Sequence, residues 1–299
     1  MLYIISNCTN SKKLAPNKDS LFRNYTNNIT KNVVLDWKTN LLNSNNKIKA
    51  KDLYKGVTWK ATLDCANEFS IKFPTKLLVA SAGYGIIDSE KMISSYGITF
   101  SKNQLDSIHQ YCLNEVWWNN INEFPVNKFK NVSAIFICLS NEYLNATDKY
   151  IDKLIKIYSK KVFIINISKK YELKFKNNYL NFDSRFNLYE PGTLINLSQR
   201  ALRWLSKEIV ENKLELNHDI LQEHINTFLN NFENIRIKKG KKIEDTDLRI
   251  ILSDFILKEH ILSASKGLTL LREKGISCEQ KRFHNLFNNL KKEIITNEK

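Results

Sequence analysis

A chain of 299 residues is long enough for one large domain and a smaller one, each with its own core. Hydrophobic residues make up 42% and charged residues 26%, with 8 Gly and 4 Pro, which excludes a disordered or fibrous chain. The formal net charge of +15 attracts polyanions, making DNA, RNA, a nucleotide or an anionic membrane surface the natural partners, although an AT-rich genome also yields this excess of Lys and Asn. Residues 1–209 carry 30 Lys and Arg against 17 Asp and Glu, and residues 210–299 carry 16 against 14, so this surface belongs to the first part.

In chain order, Leu2–Ser6 is a compact apolar run that reads as a buried strand, ending in the polar loop Ser6–Lys13. The Asn- and Lys-rich stretch from Leu14 to Lys51 has weak periodicity and is expected to hold little regular structure. From Asp52, a helix cap, the spacing of Leu53, Val57, Trp59, Leu63, Ala66 and Phe69 predicts one amphipathic helix closed by Pro74. Lys76–Ala80 is a second strand, leading into the turn Ser81-Ala82-Gly83-Tyr84-Gly85.

A helix is expected over Gln104–Trp118, and Val132–Leu139 is a third strand followed by Ser140-Asn141-Glu142-Tyr143. A helix over Asp148–Tyr158 precedes a fourth strand, Lys161–Ile167, and an amphipathic helix spans Thr193–Glu208, with Arg200 and Arg203 on its outer face. Strands alternating with helices predict an α/β fold, a four-stranded, mostly parallel sheet covered on both faces. From residue 210 the pattern is helical, so the expected domains are 1–209 and 210–299. Near the end, Ile261–Lys274 is stopped by Gly275, and Ser277-Cys278-Glu279-Gln280 is a capping box opening another helix, as in a helix-turn-helix.

Ligands of such sheets bind beyond the carboxyl ends of the strands, here segments 6–13, 81–88, 140–143 and 168–171. The first loop offers amides, hydroxyls and two ammonium groups. In the second, Gly83 and Gly85 admit a close ligand, Tyr84 can stack on a base, and Asp88 is a carboxylate within reach. Tyr96 with Phe100 is a further stacking candidate, whereas Trp117 and Trp118 read as core. The last helix presents Gln280, Lys281, Arg282, His284 and Asn285, residue types that read bases or grip phosphates.

Other chemistries lack support. No phosphate-binding loop, dinucleotide fingerprint or zinc motif occurs, so neither metal nor cofactor is expected. The five cysteines (Cys8, Cys65, Cys112, Cys138, Cys278) show no metal-ligand spacing and read as reduced core thiols of a cytoplasmic protein. Met1–Cys8 has no leader character, no stretch approaches membrane-spanning length, and glycosylation sequons such as Asn24–Thr26 are products of Asn richness. The five histidines (His109, His218, His224, His260, His284) are scattered and read as surface or packing residues.

Three segments carry a resemblance: Ile4-Ile5-Ser6-Asn7-Cys8-Thr9-Asn10-Ser11-Lys12-Lys13, then Asp52-Leu53-Tyr54-Lys55-Gly56, then Ala80-Ser81-Ala82-Gly83-Tyr84-Gly85-Ile86-Ile87. Over residues 1–205, including Glu190-Pro191-Gly192-Thr193, the chain resembles a bacterial and phage family related to the uracil-DNA-glycosylase-like fold and to peroxide-stress DNA-binding proteins. The resemblance implies a four-stranded parallel sheet with its site at the strand ends. The implied activity is cleavage of N-glycosidic bonds in DNA after base flipping, with an anti-phage branch that removes glucosylated hydroxymethylcytosine.

On that resemblance Asn7 and Asn10, with Asp88 as a substitute, position the attacking water. The strand-end loops make Ser81, Gly83, Tyr84, Tyr96, Ser140 and Asn141 the expected base pocket; Ser11, Lys12, Lys13, Lys169, Lys170 and Arg200, with Lys281 and Arg282 of the helix-turn-helix candidate, are the expected DNA contacts. The family's closing His motif is not recognisable. Neither Lys12 nor Lys13 has an evident apolar setting that would lower its pKa, so a monofunctional mechanism is expected. Two other readings use the same surface: a nucleoside or nucleobase glycosyl transferase, and a non-enzymatic DNA-binding regulator.

Overall fold

Leu2–Asn7 forms the central strand, β1, because its near-continuous apolar run suits a strand buried on both faces. The computed structural model describes residues 1–25, 31–232 and 240–297. After β1 come α1 (Lys31–Asn43), β2 (Lys47–Lys49), α2 (Ala50–Leu53), α3 (Val57–Lys72), β3 (Thr75–Ser81), β4 (Gly85–Asp88) and β5 (Met92–Ser94). Next are α4 (Asn114–Ile121), β6 (Ala134–Cys138), α5 (Asn141–Tyr158), β7 (Val162–Asn166), α6 (Lys169–Lys174), β8 (Tyr179–Asn181), α7 (Phe186–Tyr189), α8 (Leu197–Glu211) and α9 (His218–Leu229).

The main sheet has six strands in the order β4-β3-β1-β6-β7-β8, not four. The expected strands are the inner β3-β1-β6-β7, all parallel, flanked by antiparallel β4 and by parallel β8. Both added strands are short edge strands, too brief for a period-two pattern to register. α3 packs on α8, and Phe69 of α3 stacks on Phe136 of β6 at 5.0 Å. The crossovers through α3 and α5 run in opposite directions across the sheet, so the right-handed rule places them on opposite faces.

Several expected elements differ. The stretch after Leu14 holds α1, whose Trp37 is fully buried, and β2, which pairs antiparallel with β5. The single helix from Asp52 is two, because the chain extends at Tyr54 and Gly56 takes φ +106° before α3. Asp52 therefore lies inside α2 and caps nothing. Over Gln104–Trp118 only a short 3₁₀ turn and the start of α4 are helical. Conversely, α5 begins at Asn141, so the expected loop 140–143 is a helix N-terminus. The sequon residue Thr26 lies outside the described residues.

The chain divides into two compact units, Met1–Asn234 and Ile235–Lys299, later than the expected 209/210 boundary. α9 belongs to the first unit: Leu221, Ile225 and Leu229 are buried in its core, and Phe228 packs on Trp204 at 4.2 Å. Among its described residues the second unit holds three helices, α10 (Asp245–Leu257), α11 (Ala264–Glu273) and α12 (Gln280–Asn297), around Leu252, Phe255, Leu271, Phe283 and Phe287. The Ser277 hydroxyl before α12 donates to the Gly240 carbonyl at 2.8 Å.

Candidate functional site

β3, the first strand after β1 in the main sheet, lies on one side of β1, and β6 on the other, so strand order reverses between β1 and β6. A crevice opens at such a point beyond the carboxyl ends of the strands. Beside this point, beyond the ends of β6 and β7, lies a cavity of about 330 Å³ lined by Ser140, Asn141 and Glu142 at the start of α5, Asn166 from β7, and Ser198 and Gln199 from α8.

Asn7, at the end of β1, ties this crevice together. Its Oδ1 accepts from the Ser140 backbone N–H at 3.0 Å and from Gln199 Nε2 at 3.5 Å, and its Nδ2 donates to the Cys8 carbonyl at 3.0 Å. Both ends of the amide are engaged, so Asn7 shapes the crevice and does not present a free oxygen to water. Asn166 is used likewise, donating to the Leu139 carbonyl at 2.7 Å and accepting from Ser168 N–H at 2.8 Å. Gln199 differs: it is 3% exposed, and its Oε1 has no partner among the described residues. Gln199 lines the cavity while its Oε1 is buried and unpaired, an acceptor that a ligand's N–H would satisfy once the side chain turns toward the cavity.

Glu142 supplies the carboxylate. Its Oε2 lies 3.2 Å from His109 Nε2 and accepts from Asn114 Nδ2 at 3.3 Å, which fixes the side chain at the N-terminus of α5. Sequence reading set His109 aside with the scattered histidines. The signal was weak, because His109 and Asn114 meet Glu142 only across about 30 residues of loop and helix.

A second and larger cavity, about 570 Å³, lies between the loop after β1 and the segment after β5. It is lined by Asn10, Lys12, Lys13, Arg23, Tyr96 and Asp106, among others. Arg23 grips Asp106 through Nε at 3.0 Å and Nη2 at 2.6 Å. Lys12 Nζ stands 4.3 Å from the centre of the Tyr96 ring, and burial lowers its pKa. The expectation that Lys12 lacks an apolar setting is thus corrected. Beneath it, Tyr96 Oη meets Ser81 Oγ at 2.6 Å, Tyr54 Oη at 2.8 Å and Cys8 Sγ at 3.4 Å, and Cys8 Sγ meets Tyr143 Oη at 3.0 Å. Burial pushes the phenols of Tyr54, Tyr96 and Tyr143 well up, so they stay neutral.

Several predicted site residues serve the fold instead. Ser81 accepts from the N–H groups of Gly83 and Tyr84 and closes the turn. A Cβ on Gly83 would sit 2.8 Å from the Tyr96 ring, so this glycine admits a neighbouring side chain and not a ligand. Tyr96 is 1% exposed and so cannot stack on a base, while the half-buried Tyr84 is tethered through its hydroxyl to Ser94 Oγ at 2.8 Å. Phe100, Trp117 and Trp118 are core.

Asp88 is carried away from the crevice. β4 runs antiparallel to β3, pairing Gly85 with Ser81 but Asp88 with Leu78, three residues or about 10 Å back along the sheet. There it pairs with Lys76 at 2.7 Å.

Of the predicted DNA contacts, Ser11, Lys13 and Lys169 are exposed, and Lys170 reaches Asn145 Oδ1 at 2.8 Å. Arg200 is 3% exposed, donating to Asn196 Oδ1, Asn187 Oδ1 and the carbonyls of Glu190 and Thr193. It clasps the segment before α8 and is not outward. Arg203 is taken by Glu190 and Asp64. In the second unit Lys281 is exposed, whereas Arg282 is held by Asp245 at 2.7 Å. No group of three His, Cys, Asp or Glu among the described residues is placed to hold a metal, and no helix among them is long and apolar enough to cross a membrane.

Compared with protein-family models, curated proteins and solved structures, the chain matches none.

Proposed function

We propose that this chain is a cytoplasmic DNA glycosylase of the uracil-DNA-glycosylase-like kind, acting on a flipped-out modified base such as glucosylated hydroxymethylcytosine in phage DNA. The observation that carries the reading is that one strand-end cavity is lined by both the oriented Glu142 carboxylate and Gln199, whose buried Oε1 is unpaired among the described residues. Glycosidic hydrolysis needs a negative group beside a sugar that becomes cationic, a held water, and a grip on the leaving base.

Glu142 supplies the first two. Its charge faces the developing oxocarbenium ion, and it takes the proton of the water that bonds to C1′ as the C1′–N bond breaks with its electron pair leaving on the base. Gln199 Oε1 accepts from an amino group of the base, while Asn7 is a positioning residue that keeps the β1 and β6 ends in register. The exposed Lys13 and Lys169 attract the phosphates, as the +15 charge of the chain favours.

Incubation with genomic DNAs of different base modification, read as released base and alkali-labile sites, tests this. Release from at least one modified DNA is expected, with Glu142→Gln slowing it about 10²- to 10⁴-fold, the usual contribution of general acid–base catalysis. Asp88→Asn is expected to leave the rate unchanged. No release from any DNA, plain or modified, would overturn the function. Release that survives Glu142→Gln would overturn the residue assignment.

A further inference from the structure

The larger cavity holds an amine in an unusual position. Arg23 occupies both oxygens of Asp106, and Lys12 forms no hydrogen bond or ion pair among the described residues. Its backbone is fixed: Lys13 N–H donates to Leu53 O at 2.8 Å, Lys55 N–H donates to Ser11 O at 3.1 Å, and Lys12 bridges Tyr54. The Tyr96 ring below Lys12 Nζ is itself locked by Ser81 and Tyr54. The amine of Lys12 is held in place over the Tyr96 ring, lines the cavity and has no hydrogen bond or ion pair of its own among the described residues, so it can meet a molecule that enters there.

We propose that Lys12 is the nucleophile of a second activity, cleavage of the DNA strand at an abasic site through an imine with the ring-opened sugar. The substrate class rests on the DNA reading above, but the step does not require base release by this chain. The neutral amine of Lys12 adds to the C1′ aldehyde, and loss of water gives the imine. The imine acidifies C2′, whose proton leaves to water. The electron pair forms the C2′–C3′ double bond as the C3′–O bond breaks, releasing the downstream strand with a 5′-phosphate. Water then hydrolyses the conjugated imine, returning the Lys12 amine and an unsaturated aldehyde on the upstream strand. No oxidant or reductant is consumed. Burial of Lys12 favours the neutral amine that the first step needs.

The test uses the full chain and an oligonucleotide carrying a preformed abasic site, with and without sodium borohydride. The expected result is strand cleavage without borohydride and a covalent protein–DNA adduct with it. The adduct should fall at least tenfold in Lys12→Arg, which keeps a cation over the Tyr96 ring but cannot form an imine, and persist in Lys18→Ala, a change at an exposed lysine outside the cavity lining. Absence of an adduct with the unaltered protein, or an adduct undiminished in Lys12→Arg, overturns the proposal. Because the abasic site is supplied ready-made, this outcome is independent of whether the protein releases any base.

Discussion

Gly83 and Lys12 both lie against the Tyr96 ring, and each makes a prediction. A methyl at Gly83 would come within 2.8 Å of Tyr96 ring carbons. Because that ring is held by Ser81 and Tyr54, it cannot yield cheaply. Gly83→Ala is expected to cost about 1–3 kcal/mol, the usual penalty of overpacking, read as a lowered midpoint in denaturant unfolding. At Lys12, burial lowers the pKa against the opposing pull of Cys8 and Asp106. The unfolded chain therefore binds this proton more tightly than the folded one. Stability contributed by this site is lowest below the folded pKa and rises as pH climbs toward the ordinary lysine range. Lys12→Met is expected to stabilise the protein at pH 7 and to lose that advantage above the lysine range, measured by chemical unfolding across pH.

Among the elements, α8 has the most divided task. Leu197, Ala201, Leu202 and Leu205 bury its inner face as the spacing predicts, while Gln199 lines the crevice and Arg200 turns back onto the preceding segment. Arg200→Met removes the donors to the Glu190 and Thr193 carbonyls. A cost of about 2–4 kcal/mol is expected from buried acceptors left unpaired, with no change in the salt dependence of the proposed DNA binding. A flattened salt slope in that variant would return Arg200 to the residues proposed to hold DNA. β4 shows the opposite relation of sequence to place: the residues are ordinary, and antiparallel pairing alone removes Asp88 from the crevice.

For the whole molecule, the domain boundary is the quantity to test. A chain ended after Asn234 keeps α9 and is expected to unfold cooperatively. One ended after Ile209 loses Leu221, Ile225 and Leu229 and uncovers Trp204 and Phe186, against which Phe228 packs. Removing that much buried apolar surface, at roughly 1.5–3 kcal/mol per large side chain, is expected to leave a protein that aggregates or unfolds at much lower denaturant. Calorimetry and size-exclusion chromatography of the two truncated chains would distinguish them.

The sequence by itself determined the four inner parallel strands, because a strand buried on both faces must be apolar along its whole length and so announces itself. It also determined that Asn7, Ser140 and Asn141 gather at strand ends, since alternation of strands and helices places every such loop on one edge. The tertiary structure alone decided the chemistry at that edge. Edge strands β4 and β8 are short, the antiparallel register of β4 is not encoded in any local pattern, and it took Asp88 out of the site. His109, Asn114 and Glu142 are brought together by an irregular segment with no periodicity to read. Lys12 gains its setting from Tyr96, 84 positions away in the chain, and burial of a lysine depends on what covers it and not on its neighbours in sequence.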